Sequence, residues 1–184
     1  MNIDASREKL AGVRQVRSPN CDARPDGEDI SLIVIHGISL PPGEYGGPWI
    51  DALFTNRLDP EAHPYFADMA DLRVSSHVLI RRDGEVVQYV PFTERAWHAG
   101  DSCYGERGAC NDYSIGIELE GQDGEPYAAI QYERLAAVID ELVKTFPGLS
   151  HERIVGHCDI APGRKTDPGP AFDWALLTEK LGKA

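Results

Sequence analysis

Apolar residues along the chain gather into short runs separated by polar and Gly/Pro-rich stretches, and the period of the pattern switches between two and 3.6. Five runs read as strands, over residues 32–36, 77–81, 85–90, 114–120 and 153–158. The second and third are separated by Arg82-Asp83-Gly84, whose Asp-Gly pair is a strong hairpin signal, so part of the sheet is antiparallel. Between the last two runs, Tyr132, Leu135, Ala136, Ile139, Leu142, Val143 and Phe146 repeat at helical spacing, while Glu133, Arg134, Asp140, Glu141 and Lys144 occupy the other side. This predicts a surface helix lying on the sheet and stopped by Pro147-Gly148. Shorter helices are expected over 49–56 and 173–181. Strands mixed with helices predict an α/β (α+β) fold, with a central mixed β-sheet of five to six strands flanked by helices.

Length adds a limit. At 184 residues, with no repeat, low-complexity tract or linker-like change in composition, the chain is expected to form a single domain, its core spanning about 30–175. The net charge of −12, from 18 Lys plus Arg against 30 Asp plus Glu, comes with no basic block. That disfavours nucleic acid and anionic membranes as partners. No apolar run is long enough for a signal peptide or a membrane span, so a cytoplasmic location is expected. The cysteines, Cys21, Cys103, Cys110 and Cys158, form no CxxC pair and read as reduced thiols.

The candidate chemistry lies at the ends of strands. Alternation puts Leu32, Val34 and His36 on one face of the first run, and His36 precedes the loop GISLPPGEYGGPW. In the last run Val155 and His157 share a face, and His157 leads into a segment too rich in Gly and Pro for a regular helix. If that segment is extended, Lys165 and Asp167 point to one side and Thr166 to the other. Two histidines and a carboxylate with room for water suit a catalytic zinc site better than a closed structural one. A histidine bonded only to backbone remains the alternative for either ring. In SIGIELE, Gly116, Glu118 and Glu120 share a face; Glu120, at the strand end, is expected to be solvated. Glu118 lies between Ile117 and Leu119, and a carboxylate so placed usually has a partner or a task.

The segments LIVIHGISLPPGEYGGPWIDALF, HPYFADM, LRVSSHVLIRRDGEVVQYVPF, RAWHAG, CNDYSIGIELEG and GHCDIAPGRKTDPGPAFDW together cover most of residues 31–174. They resemble the zinc-dependent N-acetylmuramoyl-L-alanine amidases of the type-2 amidase and peptidoglycan-recognition superfamily, in particular members acting on anhydromuropeptides during cell-wall recycling. The resemblance implies one catalytic Zn²⁺ held by His36, His157 and Asp167, with Glu118 and Lys165 as the catalytic pair. It also implies hydrolysis of the lactyl amide between 1,6-anhydro-N-acetylmuramic acid and L-alanine. Gly37 departs from the pattern, standing where an asparagine that contacts substrate is expected.

Because muropeptides are anionic and the chain is acidic, local cations must offset the repulsion. Arg73, Arg107 and Arg164 are candidates from the matching segments, as are Tyr65 in HPYF and Trp97 beside His98 in RAWHAG. His77 reads as a hydrogen-bonded core histidine, and His63 and His151 as surface groups. Three other functions are less consistent with the chain. An amidase acting on polymeric or reducing-end peptidoglycan would be expected to carry an export signal. A non-catalytic recognition module would be expected to have lost a ligand or the acid, and a zinc-responsive regulator to contain a nucleic-acid-binding feature.

Overall fold

Two seven-residue runs, Leu32–Ile38 and Ser114–Glu120, pair in parallel at the centre of the molecule, and their apolar residues are buried on both faces. A strand covered on both sides tends to read as a near-continuous hydrophobic run, as Leu32–Ile38 does, whereas Ser114–Glu120 alternates apolar residues with Ser114, Gly116, Glu118 and Glu120. The computed structural model describes residues 1–69 and 71–182. Among these the strands, in chain order, are β1 (Arg14–Gln15), β2 (Cys21–Ala23), β3 (Leu32–Ile38), β4 (Val78–Ile80), β5 (Val86–Gln88), β6 (Glu94–Ala96), β7 (Cys103–Tyr104), β8 (Arg107–Gly108), β9 (Ser114–Glu120) and β10 (Ile154–Gly156). The helices are α1 (Trp49–Phe54), α2 (Ala129–Thr145), α3 (His157–Ile160) and α4 (Trp174–Leu181).

The main sheet has six strands in the order β1-β5-β4-β9-β3-β10. Only β4 and β5 run antiparallel; the other pairs are parallel, so the mixed sheet expected from the hairpin signal is present. At the hairpin turn Gly84 has φ +87°, and a side chain there would collide with Ile130. The short edge strand β1 and the two-stranded ribbons β2–β6 and β7–β8 have too few residues to show a period, and no pattern in the sequence announces them.

One face of the sheet carries Ile33, Ile35, Val78, Ile80, Ile115 and Ile117, packed against α2 and α4. Each such side chain contributes about 1.5–3 kcal/mol by leaving water. Helix α2 ends at Thr145, because Phe146, preceding a proline, is forced into extended geometry. Gln131 breaks the apolar face of α2, but its amide is fully used: Nε2 donates to the carbonyls of Ile80 and Glu120, and Oε1 accepts from the Ala128 N–H. The opposite face is covered in two patches. Leu79 and Val87 pack with Ile50, Leu53 and Phe54, while Leu32 and Val34 pack with Tyr113 and Ile160. His36 and Glu118 lie between them. No helix is long and apolar enough to cross a membrane among the described residues.

Two expectations need correction. His157 is not in a strand; it opens α3, directly after β10. The Asp159 carboxylate accepts the Gly156 N–H at 2.7 Å and turns the chain there. Glu120 is not solvated, being only 2 % exposed. Arg81, from the neighbouring strand end, donates to it at 3.2 Å, and the Gly46 and Arg82 backbone N–H groups supply two further bonds. Removing the carboxylate would leave buried donors without an acceptor, although Asp51 still faces Arg81 at 3.3 Å. Glu120→Ala is therefore expected to cost about 3 kcal/mol, the lower end for a broken buried pair. Urea unfolding checks this against Glu141→Ala, which removes an ion pair with an exposed lysine and should cost under about 1 kcal/mol.

Candidate active site

His36 and Glu118 are register partners on β3 and β9, so their side chains stand next to each other on the same face. His157 arrives from the start of α3, and Asp167 from the loop beyond it, which is tied back by a bond from Cys158 N–H to the Asp167 carbonyl at 2.9 Å. His36 Nδ1, His157 Nδ1 and Asp167 Oδ2 form a triangle with sides of 2.9, 3.0 and 3.2 Å.

The surrounding hydrogen bonds decide what that triangle presents. Ser114 Oγ donates its only proton to the Cys110 carbonyl, so at 3.1 Å it must accept from His98 Nε2–H. Neutral His98 then offers a lone pair at Nδ1, which accepts a hydrogen bond from His36 Nε2–H at 2.9 Å. Burial holds the His98 imidazole well below its ordinary pKa, with the neighbouring His36 adding to the effect, which keeps it in the neutral form. His157 Nε2 faces the Ala99 carbonyl at 3.1 Å and can only donate to it. In the neutral rings both Nδ1 atoms therefore direct lone pairs at each other and at a carboxylate oxygen. Three acceptors about 3 Å apart need a cation. The separation is that of donors sharing one ion at about 2.0–2.2 Å, and the N₂O set suits zinc, so the residues present fit the metal that the resemblance implies.

The electrostatics agree with this. Burial pushes His36 down to about 4, with Asp167 acting in the opposite direction, so the ring is neutral near pH 7. Burial alone would raise Asp167, yet the imidazoles of His157 and His36 beside it hold it well below the carboxylate range. Glu118 is different: burial raises it well above its ordinary value, Asp167 adds to the rise and Lys165 opposes it. Its Oε2 is buried and has no hydrogen-bond partner among the described residues. A carboxylate kept in that state beside a candidate metal centre is suited to moving a proton.

These groups line a cleft of about 380 Å³, together with Lys165, His98 and the apolar side chains of Leu53, Phe54 and Leu72. Thr166 does not line it, as the alternation through 165–167 predicts. Of the residues proposed from sequence to meet substrate, Tyr65 lines the cleft, 46 % exposed. Arg73 does not line it; it is exposed and follows the lining residue Leu72 in sequence. The others are engaged elsewhere. Trp97 donates its indole N–H to Asp22, Arg107 pairs with Glu28 and stacks on Tyr113, and Arg164 donates to the carbonyls of Ala99 and Asp101. His77 is a core histidine, with Nδ1 accepting the Gly116 N–H. His63 accepts the Tyr65 N–H, and His151 bonds Asp140 at the surface. Sequence reasoning left His98 undecided; the clue was Gly116, where a side chain would occupy the place of the His98 ring.

The profile of the N-acetylmuramoyl-L-alanine amidase family, Amidase_2, matches residues 26–170. The 1,6-anhydro-N-acetylmuramyl-L-alanine amidase AmpD of Escherichia coli (strain K12) is 64% identical over 174 residues, which are 95% of this chain and 94% of that protein. The crystal structure of a selenomethionine AmpD derivative matches with a TM-score of 0.95 at 60% identity, covering 98% of this chain and 99% of that one. A complex of the E. coli N-acetylmuramyl-L-alanine amidase AmiD with the substrate anhydro-N-acetylmuramic acid-L-Ala-D-gamma-Glu-L-Lys matches at TM-score 0.59 and 29% identity, over 95% of this chain and 61% of that one. With a family profile spanning most of the chain and a relative this similar over nearly its full length, the chain belongs to the type-2 N-acetylmuramoyl-L-alanine amidase family and is an amidase.

Proposed function

We propose that this amidase is a zinc enzyme of the cytosol that hydrolyses the lactyl amide between 1,6-anhydro-N-acetylmuramic acid and L-alanine in soluble cell-wall fragments. The observation that carries the reading is the set of three converging lone pairs beside an unpartnered, buried Glu118 oxygen. The names of the relatives support the substrate: AmpD is a 1,6-anhydro-N-acetylmuramyl-L-alanine amidase, and AmiD is bound to an anhydromuropeptide.

His36, His157 and Asp167 would hold the zinc, which when bound supplies a Lewis acid and brings the pKa of water down to about 7. Glu118 takes a proton from the attacking water at its free Oε2 and delivers it to the departing nitrogen of L-alanine, so that one carboxylate serves as base and then as acid. Lys165 places a positive charge at the cleft wall for the oxyanion that develops on the carbonyl oxygen. The apolar wall formed by Leu53, Phe54 and Leu72, with Tyr65 beside it, receives the sugar and lactyl carbons, and the exposed Arg73, next to Leu72 in sequence, meets peptide carboxylates. Arg164 acts indirectly, fixing the Ala99 carbonyl that orients His157.

Removing metal with a chelator should abolish turnover, and added zinc should restore it; His157→Ala should lose both metal and activity. Full activity after verified zinc removal would reject the assignment. Glu118→Gln should retain zinc while kcat falls by about 10² to 10⁴. The same variant tests the electrostatics in the zinc-free protein. Because burial raises the Glu118 pKa, its ionised form weakens the fold; the penalty is absent below the unfolded pKa of about 4.3 and grows as pH rises through the folded value. Glu118→Gln should therefore raise the melting temperature at alkaline pH and lose that advantage near pH 4, as read by calorimetry. For the substrate, competition between anhydro and reducing-end muropeptides carrying the same peptide should favour the anhydro form in kcat/KM. Equal or reversed preference would remove the recycling role and leave the amidase chemistry in place.

A further inference from the structure

Gly37 lies on the wall of the cleft at the position where the family resemblance leads one to expect an asparagine. The space its side chain would fill is not empty. A Cβ built on Gly37 collides with the Tyr127 hydroxyl, and its next neighbours are Tyr127 Cζ and Pro168 Cα, at 3.5 and 3.6 Å. Tyr127 is buried, and its hydroxyl donates to the Pro168 carbonyl at 2.9 Å. Its ring lies against a second glycine, Gly121, just past the end of β9, where a Cβ would clash with the ring edge. Two glycines at neighbouring strand ends thus leave a slot that one tyrosine fills.

The far side of Pro168 is held in a similar way. A Cβ at Gly156, the last residue of β10, would come within 2.9 Å of Pro168 Cδ, so the proline rests directly on the strand. Cys158 N–H fixes the Asp167 carbonyl at 2.9 Å. The peptide that bears the Asp167 carboxylate is therefore gripped on three sides, and the Tyr127 hydroxyl is the one side-chain hydrogen bond in that grip. Burial holds the phenol above its ordinary pKa, so it remains a donor at neutral pH.

We propose that Tyr127 is a positioning residue for the metal centre: its hydroxyl, admitted by the missing side chain at Gly37, anchors Pro168 and so aims Asp167 at His36 and His157. On this reading, which rests on the zinc assignment above, Gly37 in this chain is a structural requirement of the centre as well as a lost substrate contact. Groups that orient a ligand typically change metal affinity by about 10- to 100-fold when removed. Tyr127→Phe keeps the ring in its slot and deletes only the bond to Pro168. Gly37→Ala should displace the same hydroxyl.

The test measures zinc dissociation constants by competition with a chromophoric chelator, alongside melting temperatures of the zinc-free proteins. Tyr127→Phe and Gly37→Ala should each weaken zinc binding roughly tenfold. The double variant should be no weaker than either single one, because a phenylalanine has no hydroxyl for the new methyl group to displace. If Gly37→Ala alone does not fold, folding of the double variant with the affinity of Tyr127→Phe shows the same coupling. Zinc affinity of Tyr127→Phe equal to that of the parent chain, or additive losses in the double variant, would overturn the proposal. A lowered zinc-free melting temperature with unchanged affinity would reduce Tyr127 to a packing role. Failure of the parent chain itself to bind zinc would reject the metal assignment instead, so the two readings fail in different ways.

Discussion

Three lone pairs held within about 3 Å of one another in a buried setting are a constraint that the rest of the structure has to maintain. Left alone, His36, His157 and Asp167 would swing apart or take up protons, because acceptors repel. They are kept in place by bonds on their outer sides: Cys110, Ser114 and His98 behind His36, the Ala99 carbonyl behind His157, and the Cys158 N–H and Tyr127 hydroxyl behind the loop that carries Asp167. These partners come from four stretches of the chain, at 98–99, 110–114, 127 and 158. The cluster is therefore a product of the whole fold, with long loop-closure distances offset by the packing of a sheet whose central strands are buried.

The parallel pair β3–β9 explains why Glu118 stands beside the candidate metal-binding cluster. In register, His36 faces Glu118, and side chains on neighbouring strands at paired positions are forced together on one face. The opposite face is filled by α2 and α4, so the chemistry has only one side on which to appear. Burial of Glu118 then has two consequences. It weakens the fold by disfavouring charge, and it raises the proton affinity of the group well above that of an ordinary carboxylate. A nearby carboxylate in a comparable strand position, Glu120, is saturated with donors from Arg81, Gly46 and Arg82 and has no such freedom. Hydrogen-bond supply, more than burial, separates Glu120 from Glu118.

Glycine recurs where backbone or rings must approach closely. Gly116 admits the His98 ring, Gly37 and Gly121 admit Tyr127, and Gly156 seats Pro168. All four lie in or at the ends of β3, β9 and β10, where glycine weakens the strand itself but lets a second layer of groups reach the site. The arginines follow a related logic. Arg164 was a reasonable candidate for meeting an anionic ligand, yet its guanidinium holds the 99–101 segment, and Arg107 is taken up by Glu28 and Tyr113.

Much of this could be read in the chain before any coordinates. Period-two runs and an Asp-Gly turn determined the mixed sheet, helical spacing determined α2, and strand alternation put His36 and Glu118 on usable faces, because these are local properties of consecutive residues. The ordered set of motifs marked His36, His157, Asp167, Glu118 and Lys165 as belonging together. Tertiary structure alone decided the rest. It turned His157 into α3 through Asp159, buried Glu120 under Arg81, drew Trp97, Arg107 and Arg164 away from the cleft, and brought His98 and Tyr127 behind the ligands. Apart from the Asp159 turn, which is local, those outcomes depend on groups far apart in sequence competing for the same donor, acceptor or space, and no short window along the chain contains both competitors.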